Sequence, residues 1–395
     1  MHVSGKKRAV YRFVSLQRAR SLNAISEFAL LQSERLTIMK VLLVSPGRGG
    51  LAQYTEYLAT SLREQGITVT QFRVFAQSVW KFPLILFLLY KDGTKLIHIN
   101  ASMLWSDNLW FNGLACLLPL LLRLGRKKVV LTLHNIPESV DRSYLSRNYR
   151  IGAAAWLLGK VAVFLYARAN RVCATVEEYV TAMAQHYRAL ATYVPHGVPD
   201  LPSGSRPNLS KTSGKSILAF GYIGPTKDYE TLLAAFKQVL LKEPGTKLIV
   251  GGDSHPRFPG SKERLKQMAK RLNVPIEFTG FIDKEGLPEL ISSATLVILP
   301  YLTTTGTSGA FHVAAGYAKP VVASDIQEFR RLLRSGGGLL LYRSRDYLDL
   351  ANRILALLSS PNLVHQFSHR NKLFSQANSM RKTVDRYVKI YHELA

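Results

Sequence analysis

From residue 39 onward, short apolar runs alternate with longer amphipathic stretches, the rhythm of strand, crossover helix and parallel strand. The pattern predicts strands over 40–45, 67–73, 95–99, 129–133, 171–174 and 191–194, with helices over 51–65, 108–124, 151–169 and 176–187. The stretch Pro199-Asp200-Leu201-Pro202-Ser203-Gly204-Ser205-Arg206-Pro207 interrupts it with the residues of a linker. The rhythm then restarts, with strands over 216–220, 246–250, 276–279, 295–299 and 320–323 and helices over 229–242, 261–272, 285–292 and 308–317. Two such series in 395 residues predict two α/β domains, 39–200 and 201–380, and a last helix, 381–395, free to pack back on the first domain.

Residues 1–38 form a basic extension. Because Met39-Lys40 stands directly before the strand Val41-Leu42-Leu43-Val44, Met39 reads as the functional start. The extension is then either a solvated tail or an arm that lies on anionic lipid, with Val10, Phe13, Val14 and Leu16 interleaved among Arg8, Arg12, Arg18 and Arg20. The net charge of +26 is spread along the chain, +6 in 1–40, +8 in 41–200 and +12 in 201–395. Such a field attracts a nucleotide diphosphate, an anionic membrane surface or nucleic acid. The basic residues are dispersed and no nucleic-acid module is present, so nucleic acid is not expected as a partner.

Two cysteines, Cys116 and Cys173, give neither a metal nor a disulfide pattern, and no secretory signal follows the basic start, so a cytoplasmic location is expected. The most apolar run, Gly113 to Leu122, contains Pro119 and is about half the roughly 20 residues that span a bilayer. It lies near Trp105, Trp110 and Phe111 and is followed by Arg123, Arg126, Lys127 and Lys128. It reads either as a core helix or as a face docking peripherally on an anionic membrane.

Chemistry concentrates at strand ends. Ser45-Pro46-Gly47-Arg48-Gly49-Gly50 follows the first strand and opens a helix, where glycines let amides approach a phosphate. Leu131-Thr132-Leu133-His134-Asn135 puts His134 at the strand end that faces the crevice of an open sheet. Phe220-Gly221-Tyr222-Ile223-Gly224-Pro225-Thr226-Lys227-Asp228 offers Lys227 as a point charge for a diphosphate. The run from Pro300 to Ala310, rich in Thr, Ser and Gly, enters a helix where amides and the hydroxyls of Thr307 and Ser308 can cradle an anion. Each also has a plain structural reading: a tight turn, a core histidine, a solvated lysine, an N-cap.

The order of Gly49-Gly50, His134, Val194-Pro195-His196-Gly197-Val198, Phe220-Gly221 with Lys227, Gly251-Gly252-Asp253, Phe278-Thr279-Gly280-Phe281 and the 300–325 segment resembles the retaining GT-B glycosyltransferases of family four, also called glycosyl transferase group 1. The resemblance runs from Met39 to the end and implies two Rossmann-like domains facing each other across a cleft. It implies a retaining hexosyltransferase that takes a UDP- or GDP-linked sugar as donor and a glycan or lipid-linked acceptor, with no metal or other cofactor. Gly49, Gly50, Lys227, Thr307, Ser308, Gly309 and Ala310 would hold the donor phosphates, the main chain of Gly280, Phe281 and Ile282 the base, and His134 the transferred sugar. Two departures stand out: the paired glutamates of the family fall at Thr305 and Val313, and the arginine that precedes the matched lysine is replaced by Tyr222 or Gly224. A catalytically silent protein that binds carbohydrate or a protein partner is the alternative that these departures support.

Overall fold

The computed structural model describes residues 39–47, 49–75, 79–103, 109–140, 152–200, 215–256, 258–283, 285–304 and 306–395. The basic extension 1–38, Arg48, Trp105, the linker residues 201–207 and Thr305 lie outside the described residues.

Two six-stranded parallel sheets form the two domains. The first contains β1 (Lys40–Pro46), β2 (Thr68–Val74), β3 (Leu96–Ala101), β4 (Lys128–Leu133), β5 (Arg171–Ala174) and β6 (Ala191–Tyr193), in the order β2-β1-β3-β4-β5-β6. The second contains β7 (Ser216–Phe220), β8 (Lys247–Gly251), β9 (Glu277–Gly280), β10 (Leu296–Leu299), β11 (Val321–Ser324) and β12 (Leu339–Tyr342), ordered β12-β11-β10-β7-β8-β9. The central strands are apolar on both faces because helices cover both, so they read as continuous Val/Ile/Leu runs. Strand order reverses between β1 and β3 and between β7 and β10, and the splayed loops at such points leave a crevice beyond the carboxyl ends of the strands.

In the first domain α1 (Gly50–Glu64) covers one face of the sheet. The helices α2 (Phe82–Lys91), α3 (Leu109–Ala115), α4 (Leu118–Leu124), α5 (Gly152–Tyr166) and α6 (Glu177–Tyr187) cover the other. The apolar run around 113–122 is a core element: Phe111, Cys116, Leu118 and Leu122 are buried, while Trp110 and Leu124 are exposed. The helix expected over 108–124 is split at Cys116-Leu117, because Pro119 carries no N–H and is accommodated in a first turn, not in a helix interior. The second domain holds α7 (Tyr229–Lys242), α8 (Ser261–Leu272), α9 (Gly286–Ser293), α10 (Gly309–Gly316), α11 (Gln327–Arg334), α12 (Tyr347–Leu358) and α13 (Pro361–Ala377). Of these, α11, α12, α13 and the strand β12 occupy the stretch between 324 and 380, to which the apolar spacing assigned nothing.

The last helix, α14 (Met380–His392), crosses back to the first domain. Met380, Val384, Tyr387 and Tyr391 recur at helical spacing and pack with Val41, Leu43, Leu58 and Leu62. The crossing is fixed by Met380 N–H to Val198 O (2.8 Å), Val198 N–H to Asn378 O (2.7 Å) and the Thr383 hydroxyl to Pro195 O (3.1 Å). Gly197 has to be glycine here, since a Cβ would lie 2.8 Å from the Met380 Cα.

Beneath α14 a buried polar network holds His98 of β3 and Thr132 of β4. His98 Nδ1 bonds to Tyr391 Oη (2.5 Å) and its Nε2 to Thr132 Oγ1 (2.8 Å), which in turn meets Tyr387 Oη (2.9 Å). Burial lowers the His98 pKa to about 3, so the ring is neutral and donates through one nitrogen only. A Tyr391→Phe substitution keeps the packing but orphans His98 Nδ1, and is expected to cost about 1–3 kcal/mol in urea unfolding.

Candidate active site

The two crevices face each other. His134, expected at the site, directly meets Gly306, a residue of the Pro300–Ala310 run given no role from the sequence: a Cβ added to Gly306 would lie 2.2 Å from the His134 carbonyl oxygen, so the loop leaving β10 touches the end of β4 across the domain boundary. A cavity of about 400 Å³ opens beside this contact. Ile136, Glu138, Ser139, Val140 and Tyr179 wall it on one side, and Leu302 to Thr304, Gly306 and Glu328 on the other.

His134 is part of an aromatic cluster that joins the domains. Its ring is 4.7 Å from Tyr54 and 6.1 Å from His196, and His196 lies 4.4 Å from His312 of α10. Burial pulls the His134 pKa down to about 3 and that of His312 to about 4, and it holds His196 well below the ordinary value. These imidazoles are neutral at neutral pH. Asn100 Oδ1 lies 3.3 Å from His134 Nε2; in the tautomer that donates to it, Nδ1 keeps a lone pair to accept a hydrogen bond. Tyr54 lies one turn inside α1, so the Gly49-Gly50 helix start belongs to the same neighbourhood. Gly49 has φ +88°, and a Cβ at either glycine would meet nothing within 4 Å.

In the second domain the loops after β7 and β10 are sewn together by Asp228 N–H to Pro300 O (2.6 Å) and Leu302 N–H to Thr226 O (2.8 Å). Asp228 caps α7 by accepting from the Thr231 amide at 3.0 Å, which pins Lys227 just ahead of the helix. Lys227 is buried, with its ammonium 2.7 Å from Phe220 O and against the faces of Tyr229 and Tyr301. Burial lowers its pKa to about 7. Among the described residues no carboxylate neutralises it in this position, so it holds a proton weakly and would hold it more firmly beside an anion.

At the start of α10, Ser308 was expected to offer its amide to a phosphate. That amide is already taken: it donates to Glu328 Oε1 at 3.0 Å, while Ser308 Oγ accepts from Phe311 N–H at 3.3 Å. Glu328 is buried and held by Arg331; burial raises its pKa, and Arg331 and the Ser308 amide offset part of that. The Gly309 and Ala310 amides have no hydrogen-bond partner among the described residues, and the buried Thr307 hydroxyl is likewise unpartnered. Gly309 faces open space. The groups left unpartnered at this helix start, among the described residues, are therefore the Gly309 and Ala310 amides and the Thr307 hydroxyl.

The third loop follows β9. Gly280 has φ +73°, Phe281 is 74% exposed, and the Ile282 side chain packs down on Gly251. Gly252 fits only as glycine, with φ +139° and the Gly221 carbonyl 2.4 Å from where a Cβ would stand. The ammonium of Lys262, bonded to Asp253 at 3.4 Å, lies beside Gly280. These residues share the sheet edge with Lys227; neither they nor Lys227, His134, Gly309 and Ala310 line the cavity beside the His134–Gly306 contact.

The fold defines the class: two facing parallel-sheet domains closed by a returning C-terminal helix, the GT-B architecture. Sucrose-phosphate synthase from Thermosynechococcus elongatus superposes with a TM-score of 0.70 at 19% identity, over 90% of this chain and 99% of that one. Anabaena HepE in complex with UDP and glucose gives 0.66 at 19% identity, over 90% and 100%. Residues 214–360, which lie in the second domain, match the family "Glycosyl transferases group 1". A phosphatidyl-myo-inositol mannosyltransferase of Mycobacterium leprae is 30% identical over 180 residues, 45% of this chain. The match spans 46% of that relative, under half its length.

Proposed function

We propose that the protein transfers a hexose from a UDP- or GDP-linked donor to a lipid-linked or polysaccharide acceptor, with retention at the anomeric carbon. The observation that carries this reading is the arrangement of one sheet edge: Lys227 and the unpaired amides of Gly309 and Ala310, on loops sewn together after β7 and β10, opposite His134. In transfer, the bond from C1 to the phosphate oxygen breaks and the diphosphate takes the electron pair. The acceptor oxygen bonds C1, and its proton passes to the departing phosphate oxygen. Preorganised amides and a lysine stabilise the charge that develops on that oxygen. Neutral His134 accepts a hydrogen bond from a sugar hydroxyl through Nδ1. The UDP complex of HepE and the mannosyltransferase name of the mycobacterial relative support a nucleotide-sugar donor and a lipid acceptor.

The second reading is a silent GT-B protein that binds carbohydrate or a protein partner. It is favoured by Val313, which is buried in the core, and by Tyr222, whose ring packs on His255 at 5.2 Å, so both positions serve packing and not polar recognition. Incubation with a panel of UDP- and GDP-sugars and a lipid extract separates the two. Release of UDP or GDP coupled to a glycosylated product is expected. If no donor is consumed and no nucleotide raises the melting temperature, the transfer reading fails.

A further inference from the structure

The helix layer on one face of the first domain's sheet carries a large apolar surface turned to solvent. On α2 and the turn before it, Trp80, Leu84, Phe87 and Leu88 recur at helical spacing and are 89%, 56%, 60% and 38% exposed. On α5, Leu157, Val161 and Phe164 form a second stripe, and Trp110 of α3 stands between them, 82% exposed. These helices share one layer: their inward residues Phe82, Ile85, Phe111, Ala155 and Val163 pack into one core on the same side of the sheet. The outward residues therefore share one surface. A soluble surface seldom leaves so many large side chains together unless something covers them.

Charge identifies what covers them. The segments 79–91, 109–128 and 152–171 contain nine Lys and Arg and no Asp or Glu. Lys160 and Arg171 are paired with Glu138 and Glu393, while Lys81, Lys91, Arg123, Arg126, Lys127, Lys128 and Arg168 have no carboxylate partner among the described residues. Aromatic and aliphatic residues rimmed by unpaired cations match the boundary of an anionic bilayer, where the rings enter the headgroup region and the cations meet phosphates. A second copy fits worse, because a two-fold interface would set this basic rim against itself.

We infer that the α2–α3–α5 face of the first domain docks on an anionic lipid surface. Helices that follow parallel strands start at the carboxyl edge of the sheet, so Trp80 and Trp110 border the cleft. With these helices flat on the bilayer, their basic ends at the amino edge and Trp80 and Trp110 at the carboxyl edge, the cleft would open beside the membrane, where a lipid-linked acceptor is presented. That last consequence rests on the transfer reading; lipid binding itself does not. Among the described residues no helix is long and apolar enough to cross a membrane, so the contact is peripheral.

Flotation of the full chain with vesicles of phosphatidylcholine, with or without phosphatidylglycerol, tests this without any donor or turnover. Binding to the anionic vesicles is expected to be at least roughly tenfold tighter than to neutral ones and to weaken with salt. Both Trp80→Ser/Phe87→Ser and Lys81→Glu/Lys91→Glu should lose it by about tenfold, with an unchanged melting temperature, since every replaced side chain is exposed. Full binding by both variants would place the contact elsewhere on the chain, residues 1–38 included, and overturns the inference. So would a wild-type dimer that Trp80→Ser/Phe87→Ser converts to monomer while neither protein binds vesicles.

Discussion

Replacing Lys227 with methionine is expected to lower transfer by about 10²–10³-fold, the usual loss when one preorganised donor to a developing anion is removed. Methionine keeps the bulk between Tyr229 and Tyr301, so the core of the second domain is retained. The Phe220 carbonyl loses its partner, which costs stability but leaves the fold. The pH dependence gives a sharper signature. A diphosphate binds the ammonium form, and the free protein sheds that proton as pH rises through about 7. Affinity for UDP or GDP should therefore fall above pH 7. In Lys227→Arg, where the charge persists, the profile should be flat. Calorimetric titration across this range checks both, and equal pH slopes for wild type and Lys227→Arg would remove Lys227 from the phosphate site.

Gly306→Ala is expected to lower kcat/KM by about 10²-fold with little change in melting temperature. The added Cβ would fall 2.2 Å from the His134 carbonyl, a backbone atom that cannot rotate away. The loop is anchored to β10, so the clash is relieved by parting the domains, which leaves each core intact but separates groups that must act together. A displacement of about 1 Å between reacting groups is enough for a loss of this size. Steady-state kinetics beside thermal unfolding measure both quantities. A large fall in melting temperature with unchanged kcat/KM would mean that the contact supports folding and not catalysis.

Every strand but β12 was legible because buried parallel strands leave continuous β-branched and leucine runs, as in Val41-Leu42-Leu43-Val44 and Leu296-Val297-Ile298-Leu299. Helix α2 was not, because Phe82-Pro83-Leu84-Ile85-Leu86-Phe87-Leu88-Leu89 is apolar all round and so has no helical period to detect. Its exposed half makes sense only against a surface that the sequence does not contain. At the site, the Gly251-Gly252 pair marked its loop because close backbone approach admits nothing larger there, as Gly252 against Gly221 demonstrates, whereas Gly49, Gly50 and Gly309 meet nothing. The occupied Ser308 amide was invisible because its partner, Glu328, lies 20 residues away on another helix. The same holds for His196 and His312, brought together by the domain interface: His196 was read only as one residue of the Val194–Val198 loop, and nothing near His312 in sequence marked it.

The central claim is that loops from both domains close on one leaving diphosphate. Peptide-resolved hydrogen–deuterium exchange with saturating UDP or GDP addresses it most directly. The account predicts that nucleotide slows exchange together in 221–228, 280–282 and 307–311, with the Gly49-Gly50 helix start joining when a sugar nucleotide replaces the free diphosphate. Protection confined to a surface away from these loops, or none with either nucleotide, would contradict it.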